Sequence, residues 1–221
     1  MTEFDFRIYS INLSIYICYY LKIPKEDLRE KLISKLNTIF KYRDFLEIPK
    51  IEQKFIVDNM DIPKEIEINN NLLENIFSLF FAINTRTPLF IVEKTDKKKS
   101  ISFELIYKSM KGSWSKNNLF KLYPKILLYT YNNLIDKEYP EIKEILSKAN
   151  ILFDKFNNEE KRKYCSIIYY NEMEIKNSLN LLNYNFEFNE ESNNITFVVI
   201  SNIFNYKIEQ SKFLYIINPQ I

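Results

Sequence analysis

The residues with the clearest chemical potential are Glu93-Lys-Thr-Asp-Lys-Lys-Lys-Ser100, a polar loop between the apolar run Pro88–Val92 and a helical stretch that opens at Ser100. A strand, a loop ending in Lys-Ser and then a helix is the layout of a phosphate-binding loop. Backbone N–H groups cradle the phosphates, the lysine reaches them and the hydroxyl sits on Mg²⁺. Glycine is what lets that backbone come close. Lys99 and Ser100 supply the Lys-Ser ending, but the loop has no glycine. Asp96 in a left-handed conformation costs about 1–2 kcal/mol. A carboxylate ~4 Å from a phosphate charge is repelled by roughly 4 kcal/mol at an effective dielectric of 20. Lys97 and Lys98 offset this only from flexible, hydrated stems. Weak nucleotide affinity, or none, is the expectation.

Composition narrows the other chemistries. The 221 residues contain no histidine and two cysteines, Cys18 and Cys165. That excludes a Cys/His zinc site within this chain and any His-dependent triad. Two cysteines make no disulfide framework at this length, so a reducing, cytoplasmic setting with two buried thiols is expected. Hydrophobic residues reach 46% and aromatics 16%, enough for a core, while the formal net charge is only +2. No global field draws the chain to nucleic acid or anionic lipid. Glycine occurs once, at Gly112, in a chain rich in Asn, Ile, Lys, Tyr and Phe. AT-rich codon usage accounts for that bias and erodes glycine wherever nothing requires it. The run Ile8–Leu21 is too short and too polar at Ser10, Asn12 and Ser14 to span a membrane. It reads as a buried helix, with a strand as the alternative.

The elements that must position the loop follow from periodicity. Residues 1–47 read as helical, with Leu28, Leu32, Ile33 and Leu36 on one apolar face after Pro24. Pro49 and Pro63 bracket a second helical segment, Ile51–Ile62. Asn69–Asn71 starts a buried helix over Leu72–Ile83. Pro88–Val92 reads as a first strand and Ser100–Lys111 as a helix stopped by Gly112. Lys125–Tyr131 is a second strand, Ile151–Phe153 a third, Ile195–Ile200 a fourth and Phe213–Ile217 a fifth. A polar helical region is expected from Asp154 to about Leu182. Strand and helix alternating in this way predict a mostly parallel sheet covered on both faces, with ligands at the carboxyl ends of its strands. The basic, aromatic segment Lys108–Tyr123 has the makings of a base-stacking surface, but its aromatics, Trp114, Phe120 and Tyr123, are read as core.

The chain resembles the AAA+ modules of mysterin, the giant RING-type E3 ubiquitin ligase, over about residues 50–221. The string MDIPKEIEINNNLLENIF from Met60 to Phe77 is similar to the family's M-x-(I/L)-P-x-x-I-A-x-N-x-x-L-x-E-N-(I/V)-F. SISFELIYKSMKG from Ser100 to Gly112 is similar to S-L-x-x-x-L-I-x-x-x-M-x-G, and ISN at 200–202 to I-S-N-W. The resemblance implies a P-loop NTPase (AAA+)-like fold: a five-stranded, mostly parallel α/β sheet over 63–221, an N-terminal helical appendage over 1–62, and no C-terminal lid. It also implies site residues. Lys99 falls at the phosphate-gripping lysine and Ser100 at the Mg²⁺ hydroxyl of V-G-K-P-G-S-S-K-S. Glu93 and Asp96 replace its glycines, Thr95 its proline, and Lys97 and Lys98 its serines. Asp154 falls at the Mg²⁺ aspartate after the third strand, and Lys155 at the glutamate that activates water. Asn202 falls at the polar sensor, and Lys212 at the arginine of K-M-N-R.

A degenerate ATPase module with a structural or regulatory role is the function so implied; a slowly hydrolysing, weakly ATP-binding AAA+ ATPase is the alternative. ATP and Mg²⁺ are cofactors only under the second. Expected partners are other AAA+ modules or a full-length mysterin-like protein, not membrane or nucleic acid. The RING's zinc ligands are absent, so no ligase chemistry is expected in this chain.

Overall fold

The computed structural model describes residues 3–40, 44–92, 101–131, 144–145, 147–151, 155–171, 195–201 and 214–217. Three helices lead: α1 (Glu3–Cys18), α2 (Glu26–Phe40) and α3 (Glu47–Asp58). The apolar run after Ile8 is therefore helical rather than extended, and a 3₁₀ turn at Tyr20–Lys22 follows it. No helix among the described residues is long and apolar enough to cross a membrane. Glu26 and Asp27 occupy the first turn of α2, where carboxylates favour the helix dipole. Pro49 lies inside the first turn of α3, where a missing N–H costs nothing, so that helix begins at Glu47.

Helix α4 (Asn70–Thr85) is the central beam. The Asn69 side chain accepts the Leu72 N–H at 2.9 Å and caps its start. Ile76, Leu79, Ala82 and Ile83 are fully buried along it. It ends at Arg86, a non-glycine residue at φ 55°, and the Thr87 N–H closes onto the Ala82 carbonyl at 2.9 Å.

The alternating half follows: β1 (Leu89–Val92), α5 (Ile101–Ser109), a 3₁₀ turn at Gly112–Trp114, α6 (Asn118–Lys121), β2 (Lys125–Tyr131), a short helix Asn158–Arg162, β3 (Tyr164–Asn171), β4 (Ile195–Ser201) and β5 (Leu214–Ile217). One sheet results, in the order β2-β3-β4-β1-β5, and every neighbouring pair is parallel. Parallel strands are buried on both faces, which is why Leu89–Val92 is buried throughout. Leu89, Ile91, Ile167, Val198 and Ile200 face the main core, and the alternate set Phe90, Ile168, Phe197 and Val199 is buried as well.

The third strand differs from the sequence expectation. Ile151 closes a helical stretch at 147–151, and the strand is Tyr164–Asn171, which the charges around Glu159–Arg162 disguised as helix. Ile151–Phe153 is too short for a central strand, whereas YCSIIYYN carries the β-branched and aromatic residues that fit a pleated, buried surface.

The N-terminal helices share the core of the sheet. Tyr16, Tyr20, Leu21, Leu36 and Phe45 belong to the same buried cluster as Ile91 and Val198. Of the apolar face expected of α2, Leu36 is buried and Leu32 and Ile33 pack against the core, but Leu28 is exposed, while Arg29 is buried. Its Nη1 lies 3.0 Å from both carboxylate oxygens of Glu74, its Nε donates to the Ile23 carbonyl at 2.9 Å, and its guanidinium sits 4.7 Å from the Tyr20 ring centre. Burial pushes the Glu74 carboxyl above its ordinary range, and Arg29 opposes that shift. Tyr16 stacks on Tyr20 at 5.0 Å and accepts a 2.6 Å hydrogen bond from Gln53, while the Tyr9 hydroxyl donates to Glu52. Polar groups thus tie α2 to α4 and α1 to α3.

Candidate functional site

Because all five strands run the same way, their carboxyl ends meet along one edge. Val92 at the end of β1 is in register with Ser201 at the end of β4, and Asn171 at the end of β3 is in register with Ile200. The chain passes from β1 to β2 across β4 and β3, so the order reverses beside β1, the place where open α/β sheets bind ligands. The segment that opens at Glu93 leaves β1 at this edge, and α5 resumes at Ile101.

Aromatic packing anchors α5 there. Phe103, one turn or less from the start of α5, stacks on Tyr169 of β3 at 4.0 Å with the rings 10° from parallel. Ser102 is buried and Phe103 is 4% exposed, so the N-terminal turn of α5 is fixed over the sheet. A helix N-terminus presents unpaired N–H groups and a positive dipole end to whatever the preceding loop holds.

Of the residues singled out from sequence, Glu93, Asp96, Lys97, Lys98, Lys99, Ser100, Asp154, Asn202 and Lys212 lie outside the described residues. Lys155 is described. It is an exposed turn residue ahead of Asn158–Arg162 and hence at the amino end of β3. The eight residues of β3 span about 23 Å at ~3.3 Å per residue, so Lys155 stands at the far edge of the sheet from the loop. Lys155 therefore precedes β3 and does not follow its carboxyl end. The residue at the carboxyl end of β3 is Asn171, with Glu172 next in sequence. Asn157 and Glu160 form a reciprocal capping box, its bonds 2.8 and 3.0 Å long, which starts a separate short helix and leaves Tyr164–Asn171 free to be the strand.

The two thiols also separate. Cys165 is fully buried, its Sγ 3.6 Å from the Ile83 carbonyl, and burial pushes its pKa up to about 12. Cys18 is exposed, contrary to expectation. Both are free. Trp114 is likewise exposed, whereas Phe120 is buried as expected.

Compared with known proteins, residues 65–218 match the sequence profile of the RNF213 AAA domain. The chain belongs to the RNF213 AAA-domain family. RNF213 is the mysterin-type ligase that the sequence resembles. Human E3 ubiquitin-protein ligase RNF213 (Homo sapiens) is 27% identical over 132 residues, 59% of this chain. The rnf213-beta E3 ubiquitin-protein ligase of Danio rerio is 28% identical over 121 residues, 54% of this chain. The aligned region covers 2% of each of these relatives, so the chain corresponds to a small part of an RNF213-type protein. The RNF213 AAA match opens at residue 65, behind α1–α3, although those helices complete its core.

Proposed function

We propose that this chain is an AAA+ module of impaired nucleotide chemistry, serving a structural or regulatory role by docking onto a complete mysterin-like protein or another AAA+ module. The observation that carries the reading is the position of the one glycine. Gly112 lies beyond the carboxyl end of α5, and the loop that follows β1 contains none. Any phosphate cradle built from Glu93–Ser100 must form without the residue that permits close backbone approach, and with two added carboxylates. ATP and Mg²⁺ therefore fit this donor set poorly.

The carboxyl end of β3 supports the same reading. Asn171 offers a neutral amide where a Mg²⁺-binding carboxylate belongs, and hard divalent cations prefer charged oxygen ligands. Lys155, ahead of the amino end of β3, lies at the opposite end of that strand from this position. Glu172, next in sequence after Asn171, is of the residue type that activates water. This favours, as the second reading, a slow ATPase using Lys99 and Ser100 for phosphate and metal and Glu172 for water. Steady-state phosphate release with the wild type and with Lys99→Ala and Glu172→Gln discriminates the two. The first reading expects identical background rates in all three proteins. A Mg²⁺-dependent rate that both substitutions abolish overturns it and establishes the second.

A further inference from the structure

The segment between α5 and β2 holds both the only glycine and the only tryptophan of the chain. Its backbone is tightly built. Gly112 adopts φ +59°, and a Cβ there would lie 3.2 Å from the Lys125 Cβ. The Ser115 hydroxyl accepts the Lys111 N–H at 2.9 Å and donates to the Phe120 carbonyl at 3.3 Å, locking the 3₁₀ turn to α6. Asn117 caps α6, and Phe120, 1% exposed, packs edge-on against Phe80 at 6.1 Å.

On this rigid platform two large apolar side chains point away from the core. Trp114 is 80% exposed and Leu122 is 82% exposed. Neither contributes to packing, so the fold gives no reason for either. The charge within the segment itself has one sign. Residues 108–125 contain lysines at 108, 111, 116, 121 and 125 and no carboxylate. Glu104 neutralises Lys108 and Asp61 neutralises Lys116, both at exposed sites. Among the described residues no carboxylate pairs with Lys111, Lys121 or Lys125. Lys111 instead lies 3.5 Å from the Tyr107 ring centre.

We propose that Trp114 and Leu122, in a segment that also carries Lys111, Lys121 and Lys125, form a docking surface for an acidic protein segment carrying an apolar anchor. An aromatic and an aliphatic side chain held out on an ordered backbone resemble the desolvated centre of a protein interface, and the lysines without a described carboxylate partner, one of them Lys121 bonded to the Asn118 side chain at 3.1 Å, its charged rim. A base-stacking surface is disfavoured, since Leu122 offers no ring and the net charge of the chain is only +2. The surface adjoins the amino end of β2, the edge opposite the carboxyl ends of the strands, so an occupant there leaves the Glu93–Ser100 side open.

The lone tryptophan makes the test direct. A synthetic twelve-residue peptide of alternating Glu and Leu with one Phe is titrated into the full chain at low salt while Trp114 emission is recorded. A saturable blue shift is expected, weakening at least tenfold in 0.5 M salt. Fluorescein-labelled peptide should lose at least tenfold in affinity for Trp114→Ala, Leu122→Ser and Lys121→Glu, whose circular dichroism should match the wild type. Equal binding of a Lys-for-Glu peptide, or no binding at millimolar peptide, overturns the proposal. Tighter binding of oligothymidylate than of the acidic peptide overturns it in favour of nucleic acid. Self-association in sedimentation that Trp114→Ala abolishes overturns it in favour of a second copy.

Discussion

Gly112 and the two cysteines show what single residues decide. Gly112 sits where an L side chain is strained and where a Cβ meets Lys125. Gly112→Ala should cost about 1–2 kcal/mol, the left-handed penalty alone, and move the urea midpoint down by the corresponding amount. An unchanged midpoint would show that the turn relaxes freely. The cysteines differ by burial alone. Cys18 should react with a thiol reagent in the native protein, and Cys165 only after unfolding, because burial holds its thiol protonated. Two fast-reacting thiols in native protein would place Cys165 elsewhere. From sequence both cysteines read as buried: apolar neighbours surround each, but Cys18 lies at the last turn of α1, where Tyr19 is also exposed. Residue type predicts burial only on average.

At the scale of elements, the buried Arg29–Glu74 pair is the feature that periodicity concealed. Apolar spacing placed Leu28 inward, but the guanidinium claims that face because Glu74, Tyr20 and the Ile23 carbonyl all answer it. Breaking such a pair from one side costs about 3–5 kcal/mol, since the other charge stays buried. Arg29→Met should therefore destabilise by that order at pH 7. The sign of its pH dependence follows from Glu74, whose carboxyl is already raised by burial. A raised folded pKa gives stability that is present at low pH and lost as pH rises through it. Removing Arg29 removes the opposing influence, so the deficit of the variant should shrink as pH falls from neutral toward the ordinary carboxylate range. Urea titrations across that window measure it, and a deficit that grows on acidification would contradict the pairing. The same scale explains which elements were legible. Asn69 announced α4, and the apolar runs of β1, β2 and β4 announced those strands. β3 was hidden because three tyrosines and flanking charges masked a strand that is buried on both sides of its centre.

For the whole molecule, the helices ahead of the RNF213 AAA match are structural partners of the sheet. Tyr16, Ile17, Tyr20, Leu21, Leu36 and Phe45 are all buried in the shared core. At about 1.5–3 kcal/mol each they represent roughly 9–18 kcal/mol, comparable with the entire stability of a domain at about 5–15 kcal/mol. A fragment of residues 63–221 should accordingly lack cooperative thermal unfolding, whereas the full chain retains it; a sharp transition in the fragment would show that the sheet stands alone. The fold class was readable because strand–helix alternation and binary pattern agree across the second half of the chain. Of the candidate site, the Lys-Ser ending of the loop was visible in the sequence, whereas the residue at the carboxyl end of β3 depended on locating that strand correctly. The central claim is that Glu93–Ser100 has lost its grip on phosphate. Isothermal titration of the full chain with ATP·Mg²⁺ tests it most directly. The account predicts no saturable heat up to roughly millimolar nucleotide, a binding free energy weaker than about −4 kcal/mol. A saturating isotherm with a micromolar Kd, lost in Lys99→Ala, would contradict it.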